Sequence, residues 1–146
     1  MIRMAEPRPR VLFAEDEAER NRRFTDALRL EGLDVDTVST VVGCIERLRA
    51  EPYDLLVLDV MMPLGDGEAW EGIDPIDAGV ALLTRWRDGE LPGLPENLPV
   101  IVLTGTTRHR ELLEALGVSD YLEKPCSLPW LLEAVRAAVR TEEGRP

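Results

Sequence analysis

The sequence has little of several residue types, and each shortage excludes a class of protein. Its 146 residues include one histidine and two cysteines, Cys44 and Cys126, without the spacing of a zinc site or of a disulfide framework. No apolar run approaches the roughly 18 residues that span a bilayer, and residues 1–10 lack the apolar core of a signal peptide. We therefore expect a cytoplasmic protein whose two thiols are packed inside.

Lysine is scarcer than any other charged residue. Of the 17 basic residues, all except Lys124 are arginine. Arginine serves wherever only a positive surface charge is needed, so Lys124 is expected to act as a compact ammonium group that a planar guanidinium cannot replace. The net charge of -11 disfavours direct binding to nucleic acid.

The distribution of apolar residues predicts an α/β fold. Continuous apolar runs at 11–14, 55–58 and 100–103 are typical of strands buried on both faces, and weaker strands are predicted at 35–38 and 118–122. Five helices alternate with them, the third over 76–87, the fourth over 108–116 and the last capped by Ser127. This alternation predicts a doubly wound parallel sheet with helices on both faces. The length fits one domain over 10–140, with a short extension (1–9) and a tail (141–146).

Polar residues follow four of the predicted strands. They are Glu15, Asp16, Asp59, Thr104 and Lys124. In parallel α/β sheets, ligands bind beyond the carboxyl ends of the strands, so these side chains are expected to converge. Three neighbouring carboxylates with no histidine or cysteine nearby favour Mg²⁺ as their counterion.

These residues lie in four segments that together resemble a receiver domain of a two-component response regulator. The segments are VLFAEDE, DLLVLDVMMPLGDG, VIVLTG and YLEKP, in that order, and the resemblance extends from about residue 10 to residue 140. It implies a flavodoxin-like sheet with strand order 2-1-3-4-5 and five helices.

The resemblance also implies a role for each residue of the site. Asp59 would accept a phosphoryl group from a phosphohistidine, while Lys124 and Thr104 would contact the phosphoryl oxygens. The implied Mg²⁺ ligands are Glu15, Asp16, Asp59 and the main-chain carbonyl of Met61. The Lys124–Pro125 peptide bond would be cis.

Thr104 and Tyr121 form the implied switch, in which the tyrosine turns inward as the threonine moves toward the phosphoryl group. This movement would couple Asp59 to the face formed by the fourth helix, the fifth strand and the fifth helix, where a downstream protein target would bind. The implied phosphoryl donor is a sensor histidine kinase or a phosphotransfer protein, and a homodimer stays open. We expect no contact with a membrane.

Only six residues, 141–146, follow the last predicted helix, so we expect a stand-alone domain whose output passes by protein contact. It would be a phosphoacceptor and not an enzyme, with Mg²⁺-dependent self-phosphorylation and autodephosphorylation left open.

Two features depart from the family pattern. Glu15 stands where aspartate is usual, and residues 66–77 form an insertion after the third strand. We hypothesise that Trp70 and Ile73 anchor this insertion and that it partly covers Asp59. Its acidic residues lack the spacing of a calcium loop. The proline-containing segment 88–98 is expected to be a surface loop, and His109 an exposed residue at a helix start.

Two other functions stay open. A degenerate receiver-like binding module could work without phosphorylation, for example as a dimer, although the retention of all five polar residues speaks against it. A phosphohydrolase could also use an aspartate after a buried strand, but its general acid would be a carboxylate two residues further on, where this chain has Met61.

Overall fold

A five-stranded parallel sheet forms the centre of the molecule in the computed structural model, which describes residues 8–106 and 108–143. The strands are β1 (Arg10–Ala14), β2 (Asp34–Val38), β3 (Leu55–Asp59), β4 (Val100–Thr104) and β5 (Asp120–Glu123). Their order across the sheet is β2-β1-β3-β4-β5, as expected from the resemblance.

Among the described residues, four α-helices connect the strands and a fifth follows β5. They are α1 (Ala18–Leu30), α2 (Val41–Ala50), α3 (Ala78–Arg87), α4 (Arg110–Ala115) and α5 (Leu128–Glu143). Two short 3₁₀ helices, Glu68–Trp70 and Pro75–Asp77, precede α3. The predicted start of α3 at Ile76 is therefore two residues early, because Asp74 caps the 3₁₀ turn by accepting a hydrogen bond from the Ile76 amide.

The last third of the chain shows two further differences from the predicted boundaries. Helix α4 is shorter than 108–116, and β5 begins two residues after the predicted start at Val118. Gly117 adopts a φ of 77°, which a residue with a side chain rarely adopts, and this turn ends the helix. Residues 118 and 119 then carry the chain to the sheet edge.

Alternate residues of the buried strands face two separate hydrophobic clusters, as expected for a sheet covered on both sides. Leu12, Leu56 and Val102 pack in the cluster that includes residues of α2 and α3. Phe13, Val57 and Ile101 pack in the cluster formed with α1 and α5. Cys44 and Cys126 are buried free thiols, one in each cluster.

The segment between α3 and β4 is less exposed than the sequence predicts. Leu94 and Leu98 belong to the core, and the indole N–H of Trp86 donates to the Pro95 carbonyl. Most of segment 88–98 is exposed, as expected of a surface loop, and these two leucines are its buried exceptions.

The predicted cap of α5 is confirmed, since the Ser127 hydroxyl accepts a hydrogen bond from the Trp130 amide at 3.3 Å. Among the described residues, no helix combines the length and apolar character that crossing a bilayer requires. Residues 1–7 of the predicted extension and 144–146 of the predicted tail lie outside the described residues.

Candidate functional site

The polar residues predicted to converge lie together at the carboxyl edge of the sheet. Ala14 pairs with Leu58 in the parallel register, so Glu15 and Asp59 are neighbours one step further along. The Lys124 amide donates to the Thr104 carbonyl at 2.7 Å, which holds the residue after β5 beside the end of β4. The Lys124–Pro125 peptide bond is cis, as expected.

Lys124 joins the two buried carboxylates of the cluster. Its Nζ lies 2.9 Å from Oδ2 of Asp59 and 2.9 Å from Oε1 of Glu15. The Asp59 residue is 5% exposed and Glu15 is 3% exposed, whereas the lysine side chain is partly open to solvent. Loss of Lys124 would leave both buried carboxylates without their ammonium partner, which is costly because buried charges need compensation.

Further contacts fix the orientation of Asp59 and leave part of Glu15 unused. The Met61 amide donates to Oδ1 of Asp59 at 3.0 Å. Oε2 of Glu15 is buried and has no hydrogen-bond partner among the described residues. Glu15, Asp16 and Asp59 each offer a carboxylate oxygen, and these oxygens lie within 4.8 Å of one another. Asp16 is the exposed member of the three.

Burial is the largest influence on the pKa values of the two buried carboxylates. Loss of solvent raises the pKa of Glu15 and of Asp59, and the attraction of Lys124 only partly offsets the increase. Burial also lowers the pKa of Lys124, but its bonds to the two carboxylates outweigh that effect and leave this pKa raised. Three carboxylates grouped beside one ammonium group form an environment that a divalent cation fits.

A cavity of about 300 Å³ opens beside Asp59. It is lined by Asp16, Glu17, Asp59, Met61, Met62, Pro63, Pro75, Gly105 and Lys124. Thus three of the predicted metal ligands and the lysine face one opening, which is large enough for a small anion. Met61 is placed at this opening, but the role of its carbonyl as a ligand stays a prediction.

The β3–α3 connection (residues 60–77) is anchored by the two residues that we hypothesised. Trp70 is buried in the core beside α3, with the Arg85 guanidinium 4.2 Å from its ring centre, and Ile73 packs against the same cluster. Both residues therefore serve as anchors. Among the described residues of segment 66–77, Pro75 lines the cavity beside Asp59. Partial covering of Asp59 by this segment stays a prediction.

The two predicted switch residues meet at a third residue, Thr106. The Thr104 hydroxyl donates to the Thr106 carbonyl at 3.0 Å, and the Tyr121 hydroxyl donates to the same oxygen at 2.7 Å. The Arg110 guanidinium lies over the Tyr121 ring at 5.4 Å. Thr104 and Tyr121 are therefore linked through one carbonyl group of the loop after β4.

His109 was expected to be exposed, and this expectation was wrong. The residue precedes α4 as predicted, but its side chain is partly buried, and Nε2 lies 2.7 Å from Oδ1 of Asp77. The contact joins the loop after β4 to the end of the β3–α3 connection.

Sequence patterns did not identify Thr106, Pro75 or Gly79 as parts of the site. A side chain at Gly79 would place Cβ 2.7 Å from Cα of Val60 and 3.1 Å from the Asp59 carbonyl. Gly79 thus allows α3 to approach the backbone that follows the reactive strand. Gly79 could have been noticed because it is a glycine inside a predicted helix. Thr106 could not, because it contacts Thr104 and Tyr121 through its main-chain carbonyl.

Comparisons with known proteins agree with this geometry. The family model described as "Response regulator receiver domain" matches residues 11–136. The phosphate regulon transcriptional regulatory protein PhoB of Rhizobium meliloti is 33% identical over 90% of this chain and 52% of its own length. The swarming motility regulation protein RssB of Serratia marcescens is 29% identical over 92% of this chain and 54% of its own length. The chain therefore spans about half the length of these curated relatives.

Solved structures match over almost their whole length. The receiver domain of the Francisella response regulator 1452 superposes with a TM-score of 0.72 at 25% identity, covering 91% of this chain and 98% of that one. A response regulator receiver protein from Pseudomonas putida gives a TM-score of 0.70 at 26% identity, with 91% and 99% covered.

Proposed function

The chain belongs to the response regulator receiver domain family, and on this premise we propose that Asp59 accepts a phosphoryl group. The donor would be a phosphohistidine of a sensor histidine kinase or of a phosphotransfer protein. An Asp59 carboxylate oxygen would attack phosphorus, forming an O–P bond as the P–N bond breaks. The observation that carries the proposal is the position of Asp59, buried at a strand end, bound by Lys124 and open to one cavity.

Lys124 and Thr104 would contact the phosphoryl oxygens. The ammonium group already lies 2.9 Å from Oδ2 of Asp59, so it is placed to stabilise negative charge on a phosphoryl group attached to that carboxylate. The Thr104 hydroxyl is engaged with the Thr106 carbonyl and would have to leave it in order to donate to a phosphoryl oxygen.

The residues present also fit a divalent cation, and we propose that Glu15, Asp16 and Asp59 hold Mg²⁺. Two observations support this fit. Oε2 of Glu15 is buried and has no hydrogen-bond partner among the described residues. Carboxylate oxygens of the three residues lie within 4.8 Å of one another. When bound, Mg²⁺ would neutralise carboxylate and phosphoryl charge. The longer arm of Glu15 reaches the cluster while its other oxygen accepts from Lys124.

Output would follow the link from Thr104 through Thr106 to Tyr121. If the Thr104 hydroxyl leaves the Thr106 carbonyl, the Tyr121 hydroxyl becomes the remaining side-chain donor to that oxygen among the described residues. A change at Asp59 would therefore alter the face formed by α4, β5 and α5, where a protein target would bind. The expected stand-alone arrangement stays a prediction, because the curated relatives are about twice as long.

The experiment is to incubate the protein with Mg²⁺ and a small phosphodonor and to measure its intact mass. The wild-type protein should gain one phosphoryl group, Asp59→Asn should gain none, and Asp66→Asn should match the wild type because Asp66 is an exposed acid outside the cavity. An unmodified wild-type protein, or a modified Asp59→Asn variant, would contradict the proposal. The former would favour a module that binds without phosphorylation.

A further inference from the structure

A side-chain contact between Asp77 and His109 joins the β3–α3 connection to the loop after β4. Oδ1 of Asp77 lies 2.7 Å from Nε2 of His109, and both residues are partly buried. Neither side chain caps its own helix, although each residue stands immediately before one, at α3 and α4 respectively. The two side chains therefore contact each other across the two segments instead of capping their own helices.

Asp77 is held firmly on its own side of the contact. Its amide donates to the Asp74 carbonyl at 2.8 Å, and the Pro75 carbonyl accepts from the Met62 amide at 3.2 Å. At the other end of the segment, Trp70 is buried under Arg85, whose Nη1 donates to the Ala69 carbonyl. The carboxylate of Asp77 thus projects from an anchored segment.

His109 belongs to the loop that would have to move. This loop lies between Thr104 and α4, and Gly105 lines the cavity beside Asp59, as does Pro75. In this structure the Thr104 hydroxyl is bonded within the loop, to Thr106. If His109 moves with this loop toward Asp59, the 2.7 Å contact with the anchored Asp77 opposes the movement.

We propose that the Asp77–His109 contact restrains the loop after β4 and so slows the closure of Thr104 on a phosphoryl group at Asp59. The segment before α3 would then regulate the site through the contact of Asp77 with His109, which does not require it to cover Asp59. This inference rests on the proposed phosphorylation of Asp59.

The test compares initial rates of phosphorylation by a small phosphodonor in a double-mutant cycle. Asp77→Ala and His109→Ala should each raise the rate by about 2- to 10-fold, the factor for one lost hydrogen bond. The double variant should be no faster than either single variant, because the same contact is lost in all three. Asp77→Asn should lie closer to the wild type than Asp77→Ala does, since an amide oxygen also accepts a hydrogen bond.

Glu71→Ala is the matched control, because it removes one exposed acid from the same segment and should leave the rate unchanged. Wild-type or slower rates in the single variants, or effects that multiply in the double variant, would overturn the inference. Hydrogen exchange of a peptide covering residues 104–113 provides a second readout that needs no phosphorylation. Exchange should be faster in Asp77→Ala and His109→Ala than in Glu71→Ala, and equal exchange would overturn the restraint even if the wild-type protein took no phosphoryl group.

Discussion

Lys124 is the residue on which the charge balance of the site depends. Its ammonium group contacts two carboxylates that are almost completely buried, at 2.9 Å each. A lysine provides three donors around one nitrogen, whereas a guanidinium spreads its charge over a rigid planar fork. This difference explains why a chain that otherwise uses arginine for every basic position has a lysine here.

Replacing Lys124 by arginine should therefore impair phosphorylation although the charge is kept. We expect the initial rate with a small phosphodonor to fall by about 10- to 100-fold, the factor for one charge-assisted hydrogen bond. Arg22→Lys on the exposed surface of α1 is the control and should behave as the wild type. An unimpaired Lys124→Arg variant would show that only the positive charge matters.

At the residue scale, the site could be predicted where it depends on strand ends. Glu15 and Asp59 follow continuous apolar runs, Lys124 follows the weaker strand predicted at 118–122, and parallel strands bring their ends together. The pair of Asp77 with His109 could not be predicted in this way. It depends on the conformations of two loops that are 32 residues apart in the chain, and no local pattern specifies such a contact.

Among the elements, the β3–α3 connection shows what sequence can predict of the packing of a loop. Its two expected anchors, Trp70 and Ile73, pack in or against the core cluster that contains residues of α3. Trp70 could be chosen as an anchor because it is large and apolar, but its contact with Arg85, a residue of α3 further along the chain, could not be predicted.

Two of the three tryptophans, Trp70 and Trp130, allow a matched test of this anchor. Trp70→Ala should lower the free energy of unfolding by about 3 to 5 kcal/mol, as expected for a buried aromatic side chain. Trp130 is 45% exposed, so Trp130→Ala should change that free energy by no more than about 0.5 kcal/mol. Chemical denaturation measures both, and equal effects would contradict the described packing of the connection.

The start of α3 illustrates why element boundaries were harder to predict than element types. The apolar spacing of 76–87 is helical, yet the first turn is a 3₁₀ helix because Asp74 and Pro75 fix the local geometry. Gly79 then packs directly on the backbone of Val60. Local periodicity indicates a helix, but close tertiary contact decides where it begins.

The sheet order and the distribution of charge act together at the scale of the whole molecule. Alternation of buried strands and amphipathic helices was sufficient to predict the parallel sheet, while its order came from the family resemblance. The net charge of -11 includes three carboxylates placed at one sheet edge. Their mutual repulsion is offset in part by Lys124, so a divalent cation should stabilise the folded protein.

Thermal or chemical denaturation with and without Mg²⁺ tests this effect. At a concentration about tenfold above its dissociation constant, Mg²⁺ should stabilise the wild-type protein by about 1.4 kcal/mol. Asp16→Asn should lose most of this gain, whereas Asp66→Asn should keep it. Because both variants remove one exposed acid, an equal response would indicate general screening of an acidic surface instead of a bound ion.

The identity of the modified atom is the most direct test of the central claim. After incubation with Mg²⁺ and a small phosphodonor, the protein is treated with hydroxylamine, digested and analysed by mass spectrometry. An acyl phosphate on Asp59 should yield a hydroxamate on the peptide that contains Asp59, and no other peptide should change. A phosphoryl group that survives hydroxylamine on a serine or threonine, or a hydroxamate at another carboxylate, would contradict Asp59 as the phosphoacceptor.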